Sequence, residues 1–124
     1  MLVLDAGALI AIDRGDRELV ALLKREYRAG RTPVTHGGIV GQVWRGGSRQ
    51  AAIAGALKGI RVASIDGELG RRAGVLLART RGRDVIDAAV ALLAGDDDEV
   101  FTSDPEDLRV LCEAAGIAAD IISI

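Results

Sequence analysis

Short apolar runs alternate with longer segments of helical periodicity along this sequence. The run LVL at residues 2–4 is followed by Asp5, a turn and the apolar segment ALIAI, a pattern typical of a buried strand that leads into a helix. Residues 16–30 then place leucines on one helical face and end at Gly30, and the strand-like TPVTH follows. Buried strands joined by helices are typical of a parallel sheet.

The alternation continues to the end of the chain. Helical patterns occupy five further segments, which are residues 38–45, 48–58, 67–80 and 84–95 and the segment opened by Asp104-Pro105. Strand-like patterns lie at residues 60–66, 100–103 and 118–124. Five short strands alternating with helices predict one domain over residues 1–124, an α/β three-layer sandwich (α/β/α) around a mostly parallel five-stranded sheet.

The composition limits the classes of protein to which the chain can belong. Hydrophobic residues make up 49% of the sequence but include one Phe, one Tyr and one Trp, so we expect an aliphatic core and no aromatic platform for stacking nucleic-acid bases. No apolar run approaches the roughly 18 residues of a membrane span, and no signal peptide precedes the first strand. The single cysteine, Cys112, excludes disulfides and zinc clusters. We therefore expect a cytoplasmic protein without a membrane partner.

Charge is distributed unevenly between two parts of the chain. Residues 1–83 carry 15 Lys and Arg against 7 Asp and Glu, whereas residues 84–124 carry 1 against 11. This asymmetry is compatible with a basic surface beside an acidic site, where a polyanion is held near a cation. Solvated helix faces of opposite sign account for it equally well.

Four aspartates are predicted to meet at the carboxyl edge of the sheet. Asp5 ends the first strand and Asp104 follows the strand at 100–103. Asp87 lies one turn inside an almost wholly apolar helix, where an unpaired carboxylate is expensive, and Asp84 precedes it on the same helical face. In parallel sheets ligands bind outside the carboxyl ends of the strands, and crowded carboxylates favour a hard divalent cation. The pattern therefore predicts a site for Mg²⁺ or Mn²⁺.

Other interpretations of the polar residues stay open at this stage. Asp84 and Asp104 each precede a helix and suit its N-cap position. The acidic run at residues 96–99 belongs to the opposite edge of the predicted sheet and is interpreted as a solvated turn. His36, at a strand end, is interpreted as a loop or packing residue, and Cys112 as a small buried thiol.

Four motifs in order along the chain carry a family resemblance. VLDAGALIA lies at the start, VWRGG in the middle, DVIDAAVALLA later and TSDPEDL near the end. Together they cover essentially the whole chain and resemble the PIN domain, especially the VapC-like ribonuclease toxins of prokaryotic toxin-antitoxin pairs. The resemblance implies the PIN fold and a toxin that cleaves RNA.

The resemblance also implies roles for particular residues. Asp5, Asp87 and Asp104 correspond to the family's metal-site aspartates, where Mg²⁺ or Mn²⁺ activates a water for attack on an RNA phosphodiester. Auxiliary positions in or beside this site are Thr102, Ser103, Asp107, Asp84 and Gln42. Candidates for contacts to RNA phosphates are Arg45, Arg49, Arg81 and Arg83. Arg45 is equally suited to a structural ion pair with a nearby aspartate.

The implied partners are three. They are an RNA substrate, a cognate small antitoxin that donates a basic side chain to the acidic site, and a second copy of the chain bound through the early helices. The last would make the protein a homodimer.

Two positions depart from the family pattern. Gln42 falls where the family has a glutamate, and Ala6 where many members have a hydroxyl residue. Glutamine offers a metal one neutral oxygen, but it removes a unit of charge and cannot act as a base. The alternative interpretation is therefore a degenerate PIN domain that binds RNA or an antitoxin without efficient cleavage. We expect Gln42 to lie at the metal edge, Arg45 one turn further on, and Trp44 to pack beneath or beside this helix.

Two other enzyme classes begin with a strand that ends in Asp. A phosphoryl-transfer receiver requires a lysine at a late strand end, and the only lysines are Lys24 and Lys58. A haloacid-dehalogenase-like enzyme requires an aspartate at position 7, where this chain has Gly7. Neither class is expected.

Overall fold

The computed structural model describes residues 1–124 and contains one sheet in which all neighbouring strands are parallel. The strands are β1 (Leu2–Leu4), β2 (Val34–His36), β3 (Arg61–Ala63), β4 (Glu99–Thr102) and β5 (Asp120–Ser123). Their order across the sheet is β3-β2-β1-β4-β5. The predicted α/β class is confirmed, and the sheet is entirely rather than mostly parallel.

Seven α-helices and one 3-10 turn connect the strands. The helices are α1 (Ala6–Asp13), α2 (Arg17–Arg28), α3 (Gly37–Val43), α4 (Ala51–Leu57), α5 (Gly67–Thr80), α6 (Val85–Leu93) and α7 (Pro105–Ala115), and the 3-10 turn is Ser48–Gln50. Helix α1 contacts α2, α3 and α4, while α5, α6 and α7 contact one another. These two groups are the outer layers of the predicted three-layer sandwich. None of the helices combines the length and apolar character needed to cross a membrane.

The central strands are buried on both faces, as their uninterrupted apolar sequence predicts. Leu2, Val3 and Leu4 of β1 are completely inaccessible to solvent. Strand β3 is shorter than the predicted segment 60–66 because its only neighbour, β2, offers three residues for pairing. The free thiol of Cys112 is buried among aliphatic side chains, and this burial raises its pKa, as expected for a core thiol.

Charged side chains organise the amino edge of the sheet. Glu26 of α2 is buried and paired with Arg31 and Arg25. Burial alone would raise its pKa, but the hydrogen bonds and positive charge of the two arginines outweigh it, so the pKa is lowered. A carboxylate inside this helix is therefore stable because its counter-charges are adjacent.

The acidic run at residues 96–99 lies at this amino edge, as predicted, but it is not merely a solvated turn. Asp98 accepts a hydrogen bond from the Gly95 amide at 2.7 Å and pairs with the terminal ammonium group at 3.1 Å. Asp96 accepts one from the Ala118 amide at 2.8 Å. The run binds neighbouring backbone groups and so holds the entry to β4.

The sheet order creates a crevice between β1 and β4. These two strands are neighbours, with Leu4 opposite Phe101, yet the chain leaves β1 toward β2 and leaves β4 toward β5. The connecting helices therefore diverge to opposite faces, and Asp5 and Thr102, at the carboxyl ends of β1 and β4, meet between them. This is the general position of ligand sites in open parallel sheets.

Candidate functional site

Asp5 is held rigidly at the end of β1. Its side chain is only 3% exposed. One carboxylate oxygen accepts a hydrogen bond from the Ala6 amide at 2.8 Å, and the other accepts one from the Thr102 hydroxyl at 2.7 Å. Since each carboxylate oxygen has a second lone pair, both can still accept another partner. Asp5 thus presents a fixed, buried negative charge at the crevice.

Thr102 connects the ends of β1 and β4. It is fully buried, and its hydroxyl oxygen both donates to Asp5 and accepts from the Asp104 amide at 2.9 Å. The resemblance singled out this residue only as part of the segment before Asp104, and nothing in the sequence indicated that it bridges the two aspartates. One hydroxyl group positions both.

Replacing Thr102 with Val should reveal this positioning role. Thr102→Val leaves a buried Asp5 oxygen and the Asp104 amide without their partner, so we expect a loss of about 2 kcal/mol in the free energy of unfolding by urea. We also expect roughly tenfold weaker Mn²⁺ binding by calorimetry.

The matched control is Thr102→Ser, which retains the hydroxyl group and loses only a methyl group. Serine should restore most of the Mn²⁺ affinity. Equal Mn²⁺ affinity in the Val variant and the wild type would show that the bridge does not position the carboxylates.

Among the residues of the site, Asp87 has the pKa that is shifted most from its ordinary value. It lies in the first turn of α6, and its pKa is raised from 3.8 to about 7. Burial of the side chain is the largest cause, and repulsion from four other carboxylates adds to it, in the order Asp84, Asp5, Asp104 and Asp107. The structure therefore brings the predicted aspartates into one electrostatic cluster, which we call the acidic cluster (Asp5, Asp84, Asp87, Asp104 and Asp107).

Asp84 and Asp104 both precede helices, but only one of them caps its helix with its side chain. Asp84 accepts hydrogen bonds from the amides of Ile86 and Asp87 at 2.9 and 3.1 Å, so its N-cap interpretation is confirmed. The side chain of Asp104 makes no capping hydrogen bond. Its amide is hydrogen-bonded to Thr102, and its backbone, at φ −120° and ψ 62°, is not in the extended conformation of an ordinary N-cap. Asp104 therefore occupies the predicted N-cap position, where its carbonyl accepts a hydrogen bond from the Leu108 amide at 3.2 Å, but its carboxylate takes no part in capping.

A cleft of about 210 Å³ opens beside the acidic cluster, between the end of α5, the start of α6 and the first two turns of α7. Asp84, Asp87 and Asp107 line it together with Arg83. Arg83 is therefore the predicted phosphate contact that lies directly beside the carboxylates. Arg81, two residues earlier, ends α5 in the left-handed conformation at φ 56° and is exposed.

The segment around Gln42 differs from expectation in two respects. The Arg45 guanidinium donates to the carbonyls of Gly41 and Trp44 at 3.2 and 2.7 Å, so it caps the end of α3 and forms no ion pair with an aspartate. Trp44 is 42% exposed instead of packing beneath or beside the helix, because α3 ends at Val43 and the chain continues in extended conformation. Gln42 itself is exposed.

One residue that shapes this region, Gln50, was not identified from the sequence as a structural anchor. Gln50 accepts hydrogen bonds from the amides of Arg45 and Gly46 and donates to the carbonyl of Val43, so it folds the turn that carries Arg45. Arg49 is exposed in the adjoining 3-10 turn. Arg45 and Arg49 therefore belong to the α3–α4 connection, and neither lines the cleft beside the acidic cluster.

His36 is a structural residue, as predicted, with a more specific role than packing. Its side chain is fully buried, and its Nδ1 atom accepts hydrogen bonds from the amides of Gly38 and Ile39. Nδ1 is then unprotonated, so Nε2 carries the proton and donates to the carbonyl of Ile86 at 2.9 Å. The ring joins the end of β2 to the first turn of α6, which carries Asp87.

The donor set of the acidic cluster fits a hard cation. All its donors are carboxylate oxygens, and no ion pair of the structure includes any of them. No three His, Cys, Asp or Glu side chains are arranged as a formed metal site. The carboxylates therefore converge without closing into a ligand set, which is consistent with mutual repulsion between like charges.

Comparisons with known proteins assign no family. No protein-family model matches the chain, and no curated protein matches it significantly. A functional assignment rests on the sequence motifs and the geometry of the acidic cluster.

Proposed function

We propose that this protein is a Mg²⁺- or Mn²⁺-dependent endoribonuclease with a PIN-like fold, acting as the toxin of a toxin-antitoxin pair. The observation that carries the proposal is the position of Asp87, which is close enough to four other carboxylates to be repelled by them. The group lies at the carboxyl edge of the parallel sheet, where the strand order reverses between β1 and β4. A divalent cation is the counter-charge that such a cluster lacks. The order of the four motifs along the chain supports the ribonuclease assignment.

Each residue of the site has a distinct part in this proposal. Asp5, Asp87 and Asp104 hold the cation, while Asp84 and Asp107 add negative charge around it. Thr102 fixes the first and the last of the three ligands. Arg83 holds a phosphate oxygen of the RNA beside the carboxylates. A bound Mg²⁺ or Mn²⁺ would supply an activated water and would neutralise charge developing on the phosphodiester.

The proposed partners follow from the resemblance and from the charge of the cleft. An antitoxin segment that places a basic side chain in the cleft, against Asp84, Asp87 and Asp107, would compete with the cation for the negative charge of the cluster and block cleavage. Homodimerisation through α1 to α4 belongs to the same proposal.

The experiment that tests this function is a cleavage assay with the purified chain and a structured RNA. We expect cleavage in Mg²⁺ or Mn²⁺, none in EDTA, and none by Asp5→Asn, which keeps the size of the side chain but removes the charge. Activity that survives both EDTA and this substitution would exclude the proposal, because it would come from a contaminant or a different site.

The rival proposal is a domain that binds RNA or an antitoxin without cutting, and Gln42 is the residue that favours it. Gln42 is exposed, so Gln42→Glu introduces a carboxylate without disturbing the core. If a glutamate at this position completes the metal site, Gln42→Glu should bind Mg²⁺ roughly threefold to tenfold more tightly and cleave faster, because ligand charge sets cation affinity.

Calorimetric titration with Mg²⁺ and the cleavage assay measure the two effects, with Gln42→Ala as the control. If the wild type is inactive and the Gln42→Glu variant cleaves RNA, the proposal of a domain that binds without cutting is established. No gain over an active wild type would show that the amide belongs to a working site.

A further inference from the structure

A second groove lies on the same helical layer as the acidic cluster. It is formed between α5, the end of α6 and the end of α7, and its volume is about 360 Å³. Three arginines of α5 line it, Arg71, Arg72 and Arg79, above a floor of Leu76, Leu92 and Ala115. We call it the basic groove.

The arginines of the basic groove form no ion pair within the protein. The ion pairs of the structure use Arg25, Arg31 and Arg109, and none includes an arginine of α5. All three groove arginines are exposed. Three unpaired guanidinium groups on one helix repel one another, so the groove is complementary to a polyanion.

The basic groove is next to the cleft beside the acidic cluster. Leu76 and Arg79 line the basic groove, and the adjacent Leu77 and Thr80 line the cleft. On the facing helix, Ala115 lines the groove and Leu111, one turn earlier, lines the cleft. The two hollows share no lining residue, but they lie one after the other along α5 and α7.

The spacing of the groove arginines suits the phosphates of a nucleic-acid strand. Guanidinium groups bind phosphate oxygens in pairs, and all three charged residues here are arginines. Arg72 and Arg79 are seven residues apart on one helix, or about 10.5 Å along its axis, so they can hold separate phosphates of one strand. The floor is small and aliphatic and contains no aromatic residue that would stack on a base.

We infer that a single strand of RNA lies along the basic groove, with its phosphates on Arg72 and Arg79, and passes Arg83 to reach the acidic cluster. The inference rests on the proposed ribonuclease function and extends it by assigning the path of the substrate. Because the groove contacts only the phosphate backbone of the RNA, it contributes to the affinity and the register of the strand without a preference for particular bases.

The test is a binding measurement in EDTA, where cleavage is absent. A short labelled single-stranded RNA is titrated with the wild type and with the double variant Arg72→Gln/Arg79→Gln, by fluorescence anisotropy over a series of KCl concentrations. The control is Lys58→Gln/Arg61→Gln, which removes the same charge from exposed positions just before and at the start of the edge strand β3, outside the groove. Circular dichroism verifies that both variants are folded.

We expect the groove variant to bind roughly tenfold more weakly than the wild type at low salt, and the slope of log affinity against log salt to fall by about 1.4, the value for two lost contacts to a single strand. The control should keep the wild-type slope. Equal losses in the two variants, no loss in either, or no RNA binding by the wild type would overturn the inference.

Poly-L-glutamate serves as the competitor that represents an acidic protein segment. Should it bind the wild type more tightly than the RNA and lose its binding in the groove variant, the groove would be a protein-docking surface and the RNA path would be overturned. The inference and the proposed function can fail separately. RNA bound in the groove but never cleaved in Mg²⁺ refutes only the nuclease, whereas metal-dependent cleavage with unaltered RNA binding by the groove variant refutes only the path.

Discussion

Asp87→Asn is expected to stabilise the protein in EDTA at pH 8 while abolishing metal-dependent cleavage. The pKa of Asp87 is raised from 3.8 to about 7, first by burial and then by the other carboxylates. The folded state therefore holds the proton more tightly than the unfolded state does. Stability associated with this proton is present below pH 4 and is lost as the pH rises through 7.

The full shift corresponds to roughly 4 kcal/mol, and solvent screening of this partly exposed carboxylate reduces the expected effect to about 2 kcal/mol. Asparagine carries no charge to lose, so the variant keeps its stability at high pH. Urea unfolding at pH 4 and pH 8 measures the difference, which should be small at pH 4 and favour the variant at pH 8.

Adding Mg²⁺ at pH 8 should reverse this order. A cation that binds only the folded wild type stabilises it by mass action, and the variant lacks a ligand for it. The difference in unfolding free energy between the wild type and the variant could instead be the same at pH 4 and pH 8. That result would refute the assignment of Asp87 as the repelled carboxylate.

Asp104→Ala should lower cleavage while leaving stability almost unchanged. The carboxylate of Asp104 caps no amide, so its removal should change the unfolding free energy by less than about 0.5 kcal/mol. Cleavage should fall roughly a hundredfold to a thousandfold, because a ligand of the proposed cation, which would neutralise charge developing on the phosphodiester, is lost.

The matched control for this prediction is Asp66→Ala. Asp66 also precedes a helix, but its side chain accepts a hydrogen bond from the Leu69 amide at 2.8 Å. Its removal should cost about 1 kcal/mol of stability and leave cleavage intact. If Asp104→Ala destabilised the protein as much as Asp66→Ala and still cleaved RNA, Asp104 would be a structural residue.

The fold class was accessible from the sequence because burial leaves a direct pattern in it. Strands buried on both faces, such as β1, are uninterrupted apolar runs, and helices repeat their apolar positions at the helical period. The order of the strands left no comparable signal, since three-residue strands carry little information about their neighbours. The exact extent of β3 depends on β2, its pairing partner, and not on its own residues.

The acidic cluster was predictable for a different reason. An isolated carboxylate in the apolar first turn of α6 costs free energy unless a ligand or partner compensates it, so Asp87 was conspicuous in the sequence alone. Roles that depend on tertiary contacts could not be predicted in this way. His36 and Thr102 act through groups that are distant in the chain, the carbonyl of Ile86 and the carboxylate of Asp5. Arg45 binds the carbonyls at the end of its own helix rather than an aspartate.

The claim that the acidic cluster holds a divalent cation is tested most directly by the ionisation of Asp87. Carbon-detected nuclear magnetic resonance of its carboxyl group gives the pKa with and without Mg²⁺, in the intact chain and without any RNA. We expect a pKa near 7 in EDTA, as burial and the neighbouring carboxylates require, and a value far below this in saturating Mg²⁺. A pKa that neither Mg²⁺ nor Mn²⁺ changes would contradict the account.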